Sequence, residues 1–291
     1  MAQGGAATPP EAYRRGIGRG MFVAVVVVVA VLALLAGVLV GKTLYGAGTS
    51  SKSSYLVVGT NIPFPPFEDY NYTTGQYVGF DIDFSIMIAH ATGRTLVIQN
   101  YADFSVLLST VGAGGIDMAA SAITESGSTG AARNSTMAFS LPYYNANQAV
   151  LVKSSSTLSC PSNTCDQSEL KTLTVGVQSG TTSQSWADQY LAPNMTNPSS
   201  QYQKFTTVDT EIAALEAGSL DAVIIDSGPA GAIAAGSSGQ LKVAGTIITG
   251  ELYGFAVAHG DPEGLVPVIN SVITNSEQNG TYQILIHKWF G

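Results

Sequence analysis

The residue pattern richest in chemical consequence is a proline-stiffened aromatic loop, Asn61-Ile62-Pro63-Phe64-Pro65-Pro66-Phe67. Pro63, Pro65 and Pro66 lack backbone donors and hold φ near one value, so Phe64 and Phe67 are expected to be displayed from an extended segment. This describes a ligand pocket rather than a catalytic centre. No nucleophile beside a base and no phosphate-cradling loop is legible. His90, His259 and His287 are scattered, which argues against a metal centre. Glu68 or His90 could serve as an acid or base, although a lone histidine in an apolar helix is more often structural.

The elements that must position this loop can be read around it. Tyr55 to Gly59 is a short apolar run with β-branched residues, a buried strand that stops at a glycine. The carboxyl ends of such strands are where open α/β sheets bind ligands. After a turn at Gly75, Asp81 and Asp83 open a segment with Ile82, Ile86 and Ala89 on one stripe and Phe84, Met87, Ile88 and Ala91 beside it. This pattern predicts a helix of about three turns ending at Gly93. Further runs alternate along the chain, among them Leu96 to Gln99, Phe104 to Val111, Met118 to Ile123, Ala149 to Val152, Leu173 to Val177, Thr210 to Ala217, Ala222 to Ile225 and Gly254 to Ala258. A closing helix follows from Pro262. The alternation predicts α/β layers with mostly parallel sheets.

The 291 residues have room for one large domain or two lobes. From residue 53 onward there are 19 acidic and 7 basic residues, without the clustered Lys and Arg that phosphate binding needs, so nucleic acid is excluded as a partner. Arg14, Arg15 and Arg19 precede an uncharged block from Gly20 to Gly41. About 20 apolar residues in a helix span a bilayer. Residues 21–41 therefore read as a transmembrane anchor, with residues 1–20 in the cytoplasm and everything after Lys42 outside. The alternative is a cleaved signal segment, with Ala36, Gly37, Ala47 and Gly48 offering cleavage sites and a secreted domain as the product. Residues 42–54 form a linker rich in Gly, Ser and Thr. Cys160 and Cys165 are an isolated, closely spaced pair, which in an exported chain predicts a local disulfide. Sequons at Asn71, Asn134, Asn194 and Asn279 permit glycosylation.

From Tyr55 to Gly291 the order and spacing of motifs resemble the family 3 solute-binding proteins, which serve polar amino acid uptake through ATP-driven transporters. The matching pieces include Gly59-Thr60-Asn61 with Phe64-Pro65-Pro66-Phe67, Gly79-Phe80-Asp81-Ile82-Asp83, Asp103-Phe104, Gly115-Ile116-Asp117 and Arg133 before Phe139-Ser140-Leu141-Pro142-Tyr143-Tyr144. They continue through Gly176 to Thr182, Gly218 to Asp226, Tyr253 to Val257 and Asn279 to Gly291. The resemblance implies a two-lobed α/β architecture, the type II periplasmic binding protein fold, with two crossing hinge strands. Lobe 1 would comprise residues 55–147 and 249–291, and lobe 2 residues 148–248. The implied role is an extracellular receptor that captures an amino acid between the lobes and delivers it to an ABC transporter permease. No cofactor and no catalysis are implied.

The same resemblance assigns the ligand set. A zwitterion leaving water needs both charges compensated. Arg133 would grip the α-carboxylate through its planar fork, and Asp226 would take the α-ammonium. Thr124 and the backbone carbonyl of Ala122 would assist at the amino group, and Thr181 and Thr182 would add donors for the carboxylate. Phe64 and Phe104 would sandwich the side chain. Asn61 stands where family members often carry an acid, which favours an uncharged polar side chain. Arg94, next to Gly93, is expected at the surface or as a helix-dipole partner. Extra residues within Ser126 to Ala131 make a Gly/Ser-rich loop able to displace Arg133. Two other functions remain open: a sensory ectodomain acting with a partner, and a dehydratase-like enzyme on this fold.

Overall fold

The computed structural model describes residues 53–291. The expected cytoplasmic segment, the anchor or signal segment and most of the linker lie outside the described residues. Among the described residues, no helix is long and apolar enough to cross a membrane.

In chain order the strands are β1 (Tyr55–Thr60), β2 (Asp69–Asn71), β3 (Gln76–Val78), β4 (Thr95–Asn100), β5 (Met118–Ala119), β6 (Met137–Phe139), β7 (Tyr144–Lys153), β8 (Val175–Gln178), β9 (Tyr202–Phe205), β10 (Ala222–Asp226), β11 (Leu241–Tyr253) and β12 (Ala256–Ala258). The principal helices are α1 (Phe80–Thr92), α2 (Phe104–Gly112), α3 (Gly127–Asn134), α4 (Thr182–Trp186), α5 (Val208–Ala217), α6 (Ser227–Gly236), α7 (Val266–Gln278) and α8 (Thr281–Phe290). One sheet has the order β4-β1-β5-β12-β6 and a second the order β11-β7-β10-β8-β9, while β2 and β3 form a hairpin. The sheets are mixed rather than mostly parallel. β1 runs parallel to β4 and β5, and β8 runs parallel to β9 and β10. β12 and β7, in contrast, pair antiparallel with their neighbours. The long strands β7 and β11 pair from Leu241↔Lys153 to Tyr253↔Tyr144, with a register break between Ile247 and Glu251. They carry the chain between the two layers.

Alternation along the second sheet explains its two covered faces. Val150, Val152, Val175, Val177 and Ile224 pack into one core, and Leu151, Val223 and Ile225 pack with Leu215 of α5 into another. Successive side chains of a strand point to opposite faces, so a continuous apolar run is what a doubly covered strand requires. The first sheet packs on α1, α7 and α8 through an aromatic core that includes Phe67, Phe80, Phe84, Tyr143, Tyr253, Phe255 and partly buried Phe290.

Several local expectations are corrected. Phe67 is not displayed: it is fully buried, edge-on to Phe80, Tyr144, Tyr253 and Phe290, and only Phe64 turns toward the cleft. The run Met118 to Ile123 is a strand only at Met118–Ala119, because Ala122 adopts a φ of 46° and turns the chain. The closing helix is two helices, broken where Gly280 takes a φ of 82°. The Ser126 to Ala131 segment enters helix α3 instead of forming a loop, and Arg133 rides on that helix. Arg94 is buried rather than superficial, paired with Glu263 at 2.6 Å and near Asp117 at 3.8 Å. The helix expected to end at Gly93 does end there: the φ of 67° at Gly93 lets two amides turn back onto α1. Cys160 and Cys165 are joined as a disulfide.

Candidate ligand-binding cleft

Asn61, Phe64, Phe104, Ala122, Thr124, Arg133, Thr181, Thr182 and Asp226 all line one cavity, which has about 430 Å³ of empty space including its mouth. Each arrives for a local reason. Asn61 follows the end of β1, and Asp226 is the last residue of β10. Phe104 opens α2, whose first turn is capped by the Asp103 carboxylate accepting from Ser105 N at 2.8 Å. Thr181 caps α4, its hydroxyl accepting from Gln184 N and donating to Gln178 O at 2.7 Å, so that hydroxyl is already occupied. Gly180 brings this turn against α2. It has a φ of +80°, and a Cβ there would collide with Ser105 Oγ.

Arg133 is buried, with its guanidinium 5.5 Å from the centre of the Phe104 ring. It donates from Nη1 to Thr124 O at 2.9 Å and from Nη2 to Gly180 O at 3.1 Å. An arginine has five N–H donors, so donors remain for a further acceptor. Burial lowers its pKa to about 10, opposed by the charges of Glu251 and Asp226. The guanidinium therefore stays charged at neutral pH.

Asp226 is held by Tyr253 and Gln148. The Tyr253 hydroxyl donates to Oδ2 and Gln148 Nε2 to Oδ1. Burial, with the nearby Glu251 carboxylate, pushes the Asp226 pKa up to about 8 against those hydrogen bonds and Arg133. Ser183 Oγ donates to Gln148 Oε1 at 2.6 Å, which turns the amide nitrogen of Gln148 toward the carboxylates.

Glu251, on β11, organises the polar wall and was absent from the sequence reading. Its carboxylate accepts from Thr124 Oγ1 and Thr182 Oγ1 at 2.7 Å, from Gln148 Nε2 at 2.8 Å and from Thr249 Oγ1 at 2.9 Å. Thr124 and Thr182 thus spend their protons on Glu251 and offer only lone pairs to the cavity, one of those on Thr182 facing Gln148 Nε2 at 3.1 Å. They are suited to receive an ammonium, which for Thr182 reverses the donor role expected from the sequence. Asn61 is also committed, donating to Tyr101 O at 2.6 Å and accepting from Gln178 Nε2 at 2.9 Å.

Glu68, Ser121, Gln178 and Glu211 complete the chemically active lining beyond the expected set. Glu68 Oε1 accepts from Ser121 Oγ at 2.7 Å while Oε2 has no partner. Burial and the neighbouring Asp81 raise its pKa, and burial raises Asp81 to about 7. Glu211 is fully buried, with neither carboxyl oxygen partnered and its pKa raised by burial. One signal for Glu211 existed in the sequence. It lies three residues after Val208 and four before Leu215, a charged residue on the apolar stripe of a helix. Gln148 is likewise a buried polar residue, placed directly before the apolar run Ala149 to Val152 of β7.

The sequence matches the family described as "Bacterial extracellular solute-binding proteins, family 3" over residues 56–291. It is 29% identical over 240 residues to the "Probable histidine-binding protein" of Neisseria gonorrhoeae, covering 80% of this chain and 82% of that protein. Among solved structures, an ancestral arginine-binding protein bound to arginine superposes with a TM-score of 0.71 at 30% identity, covering 82% of this chain and 99% of the other. The ancestral amino acid-binding protein AncCDT-1, a precursor of cyclohexadienyl dehydratase, superposes with a TM-score of 0.69 at 29% identity, covering 82% and 96%.

Proposed function

The chain belongs to the bacterial extracellular solute-binding proteins of family 3, and from that premise we propose that it captures an amino acid in the cleft and delivers it to an ABC transporter permease. The observation that carries this reading is a buried guanidinium, Arg133, and a buried carboxyl, Asp226, lining the same cavity from different sheets' sides. One zwitterion compensates both. Arg133 takes the α-carboxylate with its unspent N–H groups, while Asp226 and the lone pairs of Thr124 and Thr182 take the α-ammonium, with the Ala122 carbonyl beside them. Phe64 and Phe104 border the side chain, and Thr181 shapes the turn that closes over it. The relatives named for histidine and arginine binding support an amino acid ligand.

We place the lobe boundaries at residues 55–147 with 249–291, and 148–248, so that β7 and β11 carry the hinge. Residues 21–41 would tether the domain to the outer face of the membrane, beside the permease. The dehydratase-like alternative has one observation in its favour: Glu68 and Glu211 line the cavity with raised pKa values, as proton donors would. Calorimetric titration of the full-length protein with the common amino acids, followed by chromatography of the recovered ligand, separates these readings. Binding with ligand recovered unchanged supports the receptor, and a converted product would refute it.

A further inference from the structure

The side-chain end of the cavity is defined by carboxyl groups that the α-amino acid head does not use. Once Arg133 meets an α-carboxylate and Asp226 an α-ammonium, Glu68 and Glu211 remain in the wall, and Arg133 is the one cationic side chain lining it. Their situations differ. Glu68 is tied to Ser121 and lies among Asp81, Asp226 and Asp69, acidic neighbours that add to burial in favouring its neutral form. Glu211 has no such company. Both of its oxygens are buried and unpartnered, and no neighbouring charge offsets its burial. Buried carboxylates are expected to be paired or hydrogen-bonded, so an unpartnered one lining a ligand cavity is suited to pair with a ligand cation.

Asn61 is a neutral amide and carries no charge to compensate a cation; one of its N–H groups goes to Tyr101 O and its Oδ1 accepts from Gln178 Nε2. The excess of 19 acidic over 7 basic residues from residue 53 onward also favours cation approach.

Resting on the reading that the cleft takes an α-amino acid, we infer that Glu211 receives a cationic side-chain terminus, a guanidinium or ammonium, and so sets specificity for basic amino acids. Aliphatic carbons of such a ligand pass Phe64 and Phe104, and its terminus supplies the donors that both Glu211 oxygens lack.

The test is calorimetric, with full-length protein in detergent micelles titrated with arginine, lysine and the uncharged arginine isostere citrulline. Parent protein should prefer the better of arginine and lysine over citrulline by about 100-fold, the scale set by leaving one member of a buried pair uncompensated. Glu211→Gln should bring that ratio close to one, mainly by weakening the cationic ligand, while a melting temperature at or above the parent's shows that it folds. Citrulline or glutamine binding to the parent as tightly as arginine and lysine would overturn the inference and leave the amino acid reading standing. A preference surviving in Glu211→Gln but lost in Glu68→Gln would also overturn it. If no amino acid bound at all, the proposed function itself would fall, and this inference with it.

Discussion

Gln178 Nε2 donates to Asn61 Oδ1 at 2.9 Å across the cleft, joining the end of β8 to the loop after β1. The Arg133 bond to Gly180 O makes a second crossing nearby. Both contacts join residues on different sheets' sides of the cavity, so any separation of the two sides would break them.

Removing one of them should therefore open the cleft. Gln178→Ala deletes a hydrogen bond contributing about 1 kcal/mol, a shift of roughly fivefold in the open-to-closed equilibrium. The expected result is a larger radius of gyration in solution scattering without ligand and a several-fold weaker affinity. An unchanged radius together with unchanged affinity would show that the contact does not hold the cleft.

Arg133 and Asp226 should behave differently from these two contacts. Arg133→Lys loses the planar fork and Asp226→Asn leaves an ammonium without its counter-charge, so each should weaken binding by about 3 kcal/mol, roughly a hundredfold. Ligand analogues give the complementary measurement: an amino acid amide should fail at Arg133 and a deaminated acid at Asp226. Equal calorimetric affinities for amino acid, amide and deaminated acid would remove both assignments.

Much of this site was legible in the sequence through the order and spacing of motifs that resemble the family, and several of its members or their neighbours also turn out to carry strong local signals. Asp103 before α2 and Thr181 before α4 are helix caps, Gly93 and Gly180 take positive φ, and Asp226 ends an apolar strand. What the sequence could not show is which polar group satisfies which. Glu251 is central only because the β7–β11 pairing brings it to Gln148 and the chain's turn at Ala122 brings it to Thr124. Arg94 looked superficial because its partners, Glu263 and Asp117, are far away in sequence. Phe67 looked displayed because a stiff proline loop fixes backbone direction and leaves undetermined which ring the core claims.

Binding should be linked to protons through Asp226. Its folded pKa is raised from 3.8 to about 8, chiefly by burial, so between those values the ligand-free protein holds a proton that the unfolded chain has lost. The folded state binds more protons there, and this group's contribution to stability falls as pH rises from about 4 to about 8. A ligand ammonium favours the ionised carboxylate, so uptake near pH 7 should release a proton. The heat of binding should then differ between phosphate and Tris buffers by an amount that shrinks in Asp226→Asn. Identical buffer dependence in parent and variant would show that Asp226 is already ionised.

Glu251 should tune that release. Its negative carboxylate adds to burial in raising the Asp226 pKa, and its hydrogen bonds orient Thr124 and Thr182 as acceptors. Glu251→Gln keeps the shape but removes the charge and turns an amide nitrogen toward groups that were all donating. Two outcomes should appear together. Stability should drop by about 1–3 kcal/mol in urea unfolding, because buried donors lose their acceptor. The pH range over which ligand uptake releases a proton should move down, because Asp226 ionises more readily without a negative neighbour. Measured by calorimetry at successive pH values, a release profile that stays at the parent position in a folded Glu251→Gln protein would separate Glu251 from Asp226 and leave it a purely structural tie between Thr124 and Thr182.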